Sequence, residues 1–163
     1  DNAVKIGKIT HAVNFDDSDY RKASVRLVGN TSTHMYRHEL TASGDILKRS
    51  LEYSKKVLAR SFGNDADTFD EQQAKSFLAE QKKVMIHTGS LKILDGFKNT
   101  YKLDYNQVQE SYETLKEYGN LTGVSIPTVL SKALTQKNSM SGKSLLVGIT
   151  MGFGLDIVEV EKV

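Results

Sequence analysis

The stretch Lys83-Val84-Met85-Ile86-His87-Thr88-Gly89 decides how the rest of the chain is read. Its three consecutive apolar residues are bounded by Lys82-Lys83 on one side and by His-Thr-Gly on the other. Such a run is too short for a helix and apolar on both faces, which predicts a strand buried in the middle of a sheet. His87 then stands at the carboxyl end of that strand, the end at which open α/β sheets gather ligands. Downstream, Leu91, Ile93, Leu94 and Phe97 recur at helical spacing and predict a helix to about Tyr101. The stretch Gln107 to Glu117 fits a strand or a helix equally well. Ser125 to Leu134 carries Val129, Leu130 and Ala133 on one side, with Pro127 in the first turn, where a missing amide proton costs little. Asn120 lies just before it. The tail joins an apolar run, Leu145 to Ile149, to a final strand, Leu155 to Val160, through a turn at Gly152 and Gly154, which is the pattern of a β-hairpin.

Upstream, Val4 to Val13 is rich in β-branched residues and reads as a strand with one buried face, and Lys22 to Val28 reads the same way. Gly29 to Ala42 is polar, with Asn30-Thr31-Ser32-Thr33 in succession, and predicts an irregular surface excursion that could serve as a lid or contact loop. From Ser43, the residues Ile46, Leu47, Leu51, Val57 and Leu58 alternate with Lys and Arg, predicting an amphipathic helix to about Phe62 that stops near Gly63. Thr68-Phe69-Asp70-Glu71 is a capped entry into a short helix bearing Ala74, Phe77 and Leu78. Taken together, residues 1–163 predict a single α/β domain in the order βαβαβαββ, with a mixed, mainly parallel five-stranded sheet covered by helices.

The charge balance is nearly even, 22 basic against 20 acidic side chains for a net +2, so bulk electrostatics point to neither a nucleic-acid nor a membrane-surface footprint. The absence of cysteine excludes disulfides and thiolate metal sites and suits a cytoplasmic chain. No apolar stretch approaches the roughly 20 residues of a membrane-spanning helix, and Asp1 to Lys8 lacks the features of a secretory signal. Because the chain begins inside a strand-like run, it is expected to be a piece of something longer.

Several motifs give way to plainer readings. Ser141-Gly142-Lys143-Ser144 resembles the end of a phosphate-binding loop, but Lys137 occupies the place of the required first glycine, and the motif precedes a strand instead of following one. His34 and His38 are spaced like helical metal ligands, yet they lack the glutamate of the His-Glu-x-x-His pattern and lie in a predicted loop, so no metal site is expected. Tyr101, Tyr105, Tyr112 and Tyr118 punctuate a polar stretch without a basic stripe and read as packing residues.

Taken singly, His87 reads as a structural histidine and Asn120 as a turn or capping residue. Their surroundings add more. Tyr118-Gly119-Asn120-Leu121-Thr122 followed by Ser125-Ile126-Pro127, together with Lys143 to Leu155, resembles the C-terminal half of β-ketoacyl-acyl-carrier-protein synthase III, a condensing enzyme of the thiolase superfamily. The resemblance covers about three quarters of the chain and implies a thiolase-like half-domain. It further implies a decarboxylative Claisen condensation. A cysteine takes an acyl group from acyl-CoA, and the carbanion from malonyl-acyl carrier protein attacks the resulting thioester. His87 and Asn120 map to the donors that stabilise the enolate oxygen. A second oxyanion hole implies a backbone amide near Phe153.

The sequence departs from that pattern in three ways. Where the family continues its histidine with Gln-Ala-Asn and a basic residue, this chain has His87-Thr88-Gly89-Ser90-Leu91-Lys92. Lys92 keeps a positive charge suited to the phosphate of the carrier arm, and Ser90 replaces the expected asparagine. The hairpin carries Ile149-Thr150-Met151 before Gly152-Phe153-Gly154. Most importantly, the family's nucleophilic cysteine belongs to the other half, and no cysteine is present here. The resemblance thus implies a missing N-terminal half or a Cys-bearing partner chain, a dimer, acyl carrier protein and acyl-CoA as partners, and CoA or phosphopantetheine thioesters as substrates, with no cofactor. The alternative is a non-catalytic thiolase-fold subunit or interaction domain.

Overall fold

The computed structural model describes residues 3–12, 24–30, 35–41, 46–61, 70–136, 140–150 and 154–162. Its elements follow in the order β1 (Val4–Ala12), β2 (Ser24–Asn30), β3 (Met35–Thr41), α1 (Ile46–Ser61), α2 (Glu71–Ala79), β4 (Lys83–Ile86), α3 (Leu91–Tyr101), α4 (Tyr105–Tyr118), α5 (Ser125–Thr135), β5 (Lys143–Thr150) and β6 (Gly154–Lys162). A 3-10 turn, Thr122–Val124, leads into α5.

All four residues of β4 are buried, as the apolar run requires. The strand pairs in parallel with β5, Val84 opposite Leu145 and Ile86 opposite Val147. The last two strands form the predicted antiparallel hairpin, and β1 adds antiparallel to the outer side of β6. The sheet order is β1-β6-β5-β4.

Two expectations about the sheet are corrected. Among the described residues it has four strands and not five, and only one of its pairings is parallel, so it is mixed without being mainly parallel. The predicted strand near Lys22 to Val28 exists as β2 but leaves the main sheet to pair with β3 in a two-stranded antiparallel unit, Ser24 opposite Thr41 and Asn30 opposite Met35. The expected irregular excursion over Gly29 to Ala42 therefore contains a strand; Thr31 to His34 lie outside the described residues. Polarity alone misled there, because a two-stranded unit needs no continuous apolar face to satisfy its ladder. A single crossover, from β4 through three helices to β5, supplies the one parallel pair, since tight hairpins can only make antiparallel ones.

Helices cover both faces. On one side Val57 and Leu58 of α1, Leu78 of α2, Ile93, Leu94 and Phe97 of α3 pack onto Val84, Ile86, Leu145, Val147, Leu155 and Ile157. On the other, Val129 and Ala133 of α5 meet Met85, Met140 and Val160. Caps set the helix starts: Asp70 accepts from the Gln72 amide before α2, and Ser90 accepts from the Ile93 amide before α3. The stretch that fitted strand or helix is α4, with Val108, Ser111 and Thr114 buried at helical intervals.

Helix α4 packs on β4, which among the described residues is an edge strand of the sheet. Ser111 Oγ accepts a hydrogen bond from the Ile86 amide at 2.8 Å, a backbone donor that a neighbouring strand would otherwise satisfy. At the other end of β4 the Lys83 ammonium donates to the Asn106 carbonyl at 2.6 Å and pairs with Glu110 Oε1 at 2.6 Å. Helix α4 is thereby keyed to β4 at both ends of the strand.

Candidate functional site

His87 follows the last residue of β4, and its amide continues the parallel ladder by donating to the Val147 carbonyl at 2.9 Å. His87 is half-buried, and the loss of water holds its pKa below the usual histidine value, so the imidazole is neutral near pH 7. A neutral imidazole keeps one N–H to donate and carries no charge of its own to be neutralised.

The ring lies against Gly89. A Cβ at that position would stand 2.8 Å from Ile93 Cδ1 and 3.2 Å from His87 Cδ2. The isoleucine methyl can rotate away, but the imidazole edge would have to shift. Gly89→Ala is expected to cost about 1–3 kcal/mol in chemical denaturation, the usual range for inserting a carbon into a packed site. It should also move the ring resonances of His87; unmoved resonances would show that the ring does not rest on this glycine.

Asn120 sits in the turn between α4 and the 3-10 segment. Its side chain is exposed, and Oδ1 accepts from the Thr122 amide at 2.9 Å. With the oxygen taken up in this way, the Nδ2 amide is the end with protons to offer. The turn is strained. Thr122 has φ 52°, and left-handed backbone is costly for a β-branched residue, while Gly119 takes φ 74° without that cost.

Thr88 brings the two segments together. It is fully buried, and its hydroxyl reaches both the Gly119 carbonyl, at 3.3 Å, and Ser125 Oγ, at 3.0 Å. The residue after His87 is thus hydrogen-bonded to the residue before Asn120 and to the first residue of α5. Sequence reasoning passed over Thr88 as a departure from a pattern. A hydroxyl next to the key histidine was the available signal, but its partners are 31 and 37 residues away.

The other candidates scatter. Ser90 caps α3 with its hydroxyl, 3.3 Å from the Ile93 amide. Lys92 is exposed on the first turn of α3. Phe153 and Gly152 lie outside the described residues, as does His34. An open groove between the end of α4 and α5 is bordered by Glu117, Tyr118, Pro127, Thr128, Ser131 and Lys132, without His87 or Asn120. Among the described residues, no group of three or more His, Cys, Asp or Glu side chains could hold a metal ion, and no helix is long and apolar enough to cross a membrane.

The titration of His87 carries a testable sign. The unfolded chain holds this imidazole at its ordinary value, near 6.5, and the folded protein holds it lower. Between the two values the unfolded state binds more protons, so stability falls as pH drops from about 7 through the folded-state pKa. Thermal midpoints measured between about pH 7 and about pH 5 are expected to fall less steeply for His87→Gln than for the wild type. Equal slopes would mean that the imidazole is not desolvated.

A parallel strand pair closed by an antiparallel hairpin, with helices on both faces, gives this chain a thiolase-like α/β half-domain fold. Among solved structures it is similar to the C-terminal type III polyketide synthase domain of Steely1, a type I/III hybrid from Dictyostelium, with TM-score 0.75 and 16% identity over 98% of this chain and 40% of that one. It is similar to ORAS, a fungal type III polyketide synthase, with TM-score 0.74 and 14% identity over 98% and 41%. A third likeness is to CsyB complexed with CoA-SH, with TM-score 0.71 and 14% identity over 98% and 41%. The chain spans about two-fifths of the length of these structures. No protein-family model and no curated protein matches the sequence. At such identities the likeness is one of fold. It agrees with the thiolase-like half-domain expected from the sequence, and the Steely1 domain and ORAS are both type III polyketide synthases.

Proposed function

We propose that residues 1–163 form the C-terminal half of a thiolase-like condensing enzyme of the β-ketoacyl-acyl-carrier-protein synthase III type, in which His87 and Asn120 serve a decarboxylative Claisen condensation. The observation that carries this reading is the hydrogen bonding of Thr88 to Gly119 and Ser125, which ties the segment bearing His87 to the segment bearing Asn120. Loss of carbon dioxide from a malonyl thioester leaves an enolate oxygen. Two neutral N–H donors, one on imidazole and one on a carboxamide, stabilise that charge without creating a counter-charge that must be desolvated. The nucleophilic cysteine belongs to another half, in the same protein or on a partner chain. It accepts the acyl group from acyl-CoA as a thioester, and the carbanion from malonyl-acyl carrier protein displaces it. Lys92, on the exposed first turn of α3, meets the phosphate of the carrier arm, while Ser90 and the Phe153 amide complete the substrate contacts. The assembled enzyme is a dimer that works in the cytoplasm.

A second reading is favoured by two observations: no cysteine occurs in the sequence, and Asn120 is exposed. On it the chain is a non-catalytic thiolase-fold subunit that supports a partner. Carbon dioxide release from malonyl thioester, measured on the protein assembled with its cysteine-bearing half, separates the two. The catalytic reading requires His87→Ala to abolish most of the release while the fold is kept; equal rates for variant and wild type leave only the supporting role.

A further inference from the structure

We propose that Thr88 is a positioning residue of this site: its buried hydroxyl, hydrogen-bonded to the Gly119 carbonyl and to Ser125 Oγ, holds the strained turn that carries Asn120 in register with the strand end that carries His87. The inference rests on the catalytic reading for its purpose, but its geometry can be tested without it.

Three features lead there. Thr88 is 0% exposed, and its two partners belong to different elements, one to the turn after α4 and one to the start of α5. Ser125 is also fully buried, so this contact is screened from competing water. In the turn it holds, Thr122 stands at φ 52°, a left-handed backbone that is costly for a β-branched residue. Strained conformations of this kind persist where surrounding contacts over-determine them. The Asn120 Oδ1 bond to the Thr122 amide secures the turn from inside, and Thr88 secures it from the strand. Because Thr88 is the immediate neighbour of His87, any slackening of the clamp is transmitted through one peptide unit to the imidazole, whose own burial depends on where that strand end sits.

The test compares Thr88→Val, which keeps the shape and removes the hydroxyl, with Thr88→Ser, which keeps the hydroxyl. Both are studied by NMR in the intact protein without substrate. For Thr88→Val, amide exchange over Gly119 to Thr122 is expected to rise about three- to tenfold, as for the loss of one buried hydrogen bond. The His87 imidazole should titrate at higher pH than in the wild type, because water gains access to it. Thr88→Ser should restore both. If Thr88→Val does not fold, Ser125→Ala, which removes the other hydroxyl, is read by the same two measurements. A purely structural threonine would alter exchange and leave the His87 titration where it was. That outcome, unchanged exchange at the turn, or failure of serine to rescue would overturn the proposal. None of these measurements depends on decarboxylation, so a wild-type rate for His87→Ala would sink the catalytic reading and leave the clamp standing.

Discussion

Lys83→Met is expected to destabilise the protein by about 3–5 kcal/mol, the cost of leaving one member of a buried ion pair without its partner. Glu110 is 0% exposed and the Lys83 side chain 8%, with 2.6 Å between Nζ and Oε1. Glu110 Oε2 has no hydrogen-bond partner among the described residues, so the lysine is the main compensation for the carboxylate. Removing it forces the carboxyl to take up a proton, admit water or move α4 outward, and each response costs free energy. The Asn106 carbonyl loses its ammonium donor as well. Urea unfolding followed by circular dichroism measures the change. The paired replacement Lys83→Met with Glu110→Leu should recover most or all of the loss, because two apolar side chains of similar size carry no desolvation penalty. A loss below about 1 kcal/mol for Lys83→Met would show that the pair behaves like a solvated surface bridge.

For His87→Ala, the catalytic reading predicts a fall of about 10²–10³-fold in decarboxylation by the assembled enzyme, equivalent to about 2.7–4 kcal/mol of transition-state stabilisation from one donor. The fall should appear in kcat more than in KM, since the enolate oxygen carries its full charge only as carbon dioxide leaves. Asn120→Ala should act in the same range. The double variant should fall short of the product of the two, because donors that share one oxygen act as a unit. Far-UV circular dichroism should be unchanged for each. A partly buried ring at the end of a strand is not part of the core formed by Val84, Ile86, Leu94 and Leu145. A His87→Ala enzyme as fast as the wild type would remove His87 from the chemistry.

Much of the fold was legible in the sequence where the deciding forces are local. The buried run ending at Ile86, the helix from Leu91 to Tyr101, the Asp70 cap and the closing hairpin all follow from periodicity, turn residues and capping within a few positions. The candidate site was legible in part. His87 at a strand's carboxyl end and Asn120 before a helix are local facts, but neither periodicity nor spacing says that Thr88 reaches Gly119. Helix α4 was undecidable in isolation because its buried positions include Glu110, Ser111 and Thr114, polar residues that a pattern reading takes for a surface. They are buried because β4 offers them partners: Ile86 gives its amide to Ser111, and Lys83 gives its charge to Glu110.

The sequence by itself determined most of the strands and helices, β3 and α4 apart, and which strand the molecule is built around, because three apolar residues in a row between charged and glycine-bearing flanks fit a sheet interior. Tertiary structure alone decided which strands join. β2 turned to β3, the main sheet has four strands among the described residues, and the Ile86 amide of β4 went to Ser111 of a helix. The reason is that backbone hydrogen bonds are strong, obligatory and indifferent to residue type. The segment that satisfies an open strand edge is the one that packing brings within reach, and that selection is made across distances in sequence that no local pattern records.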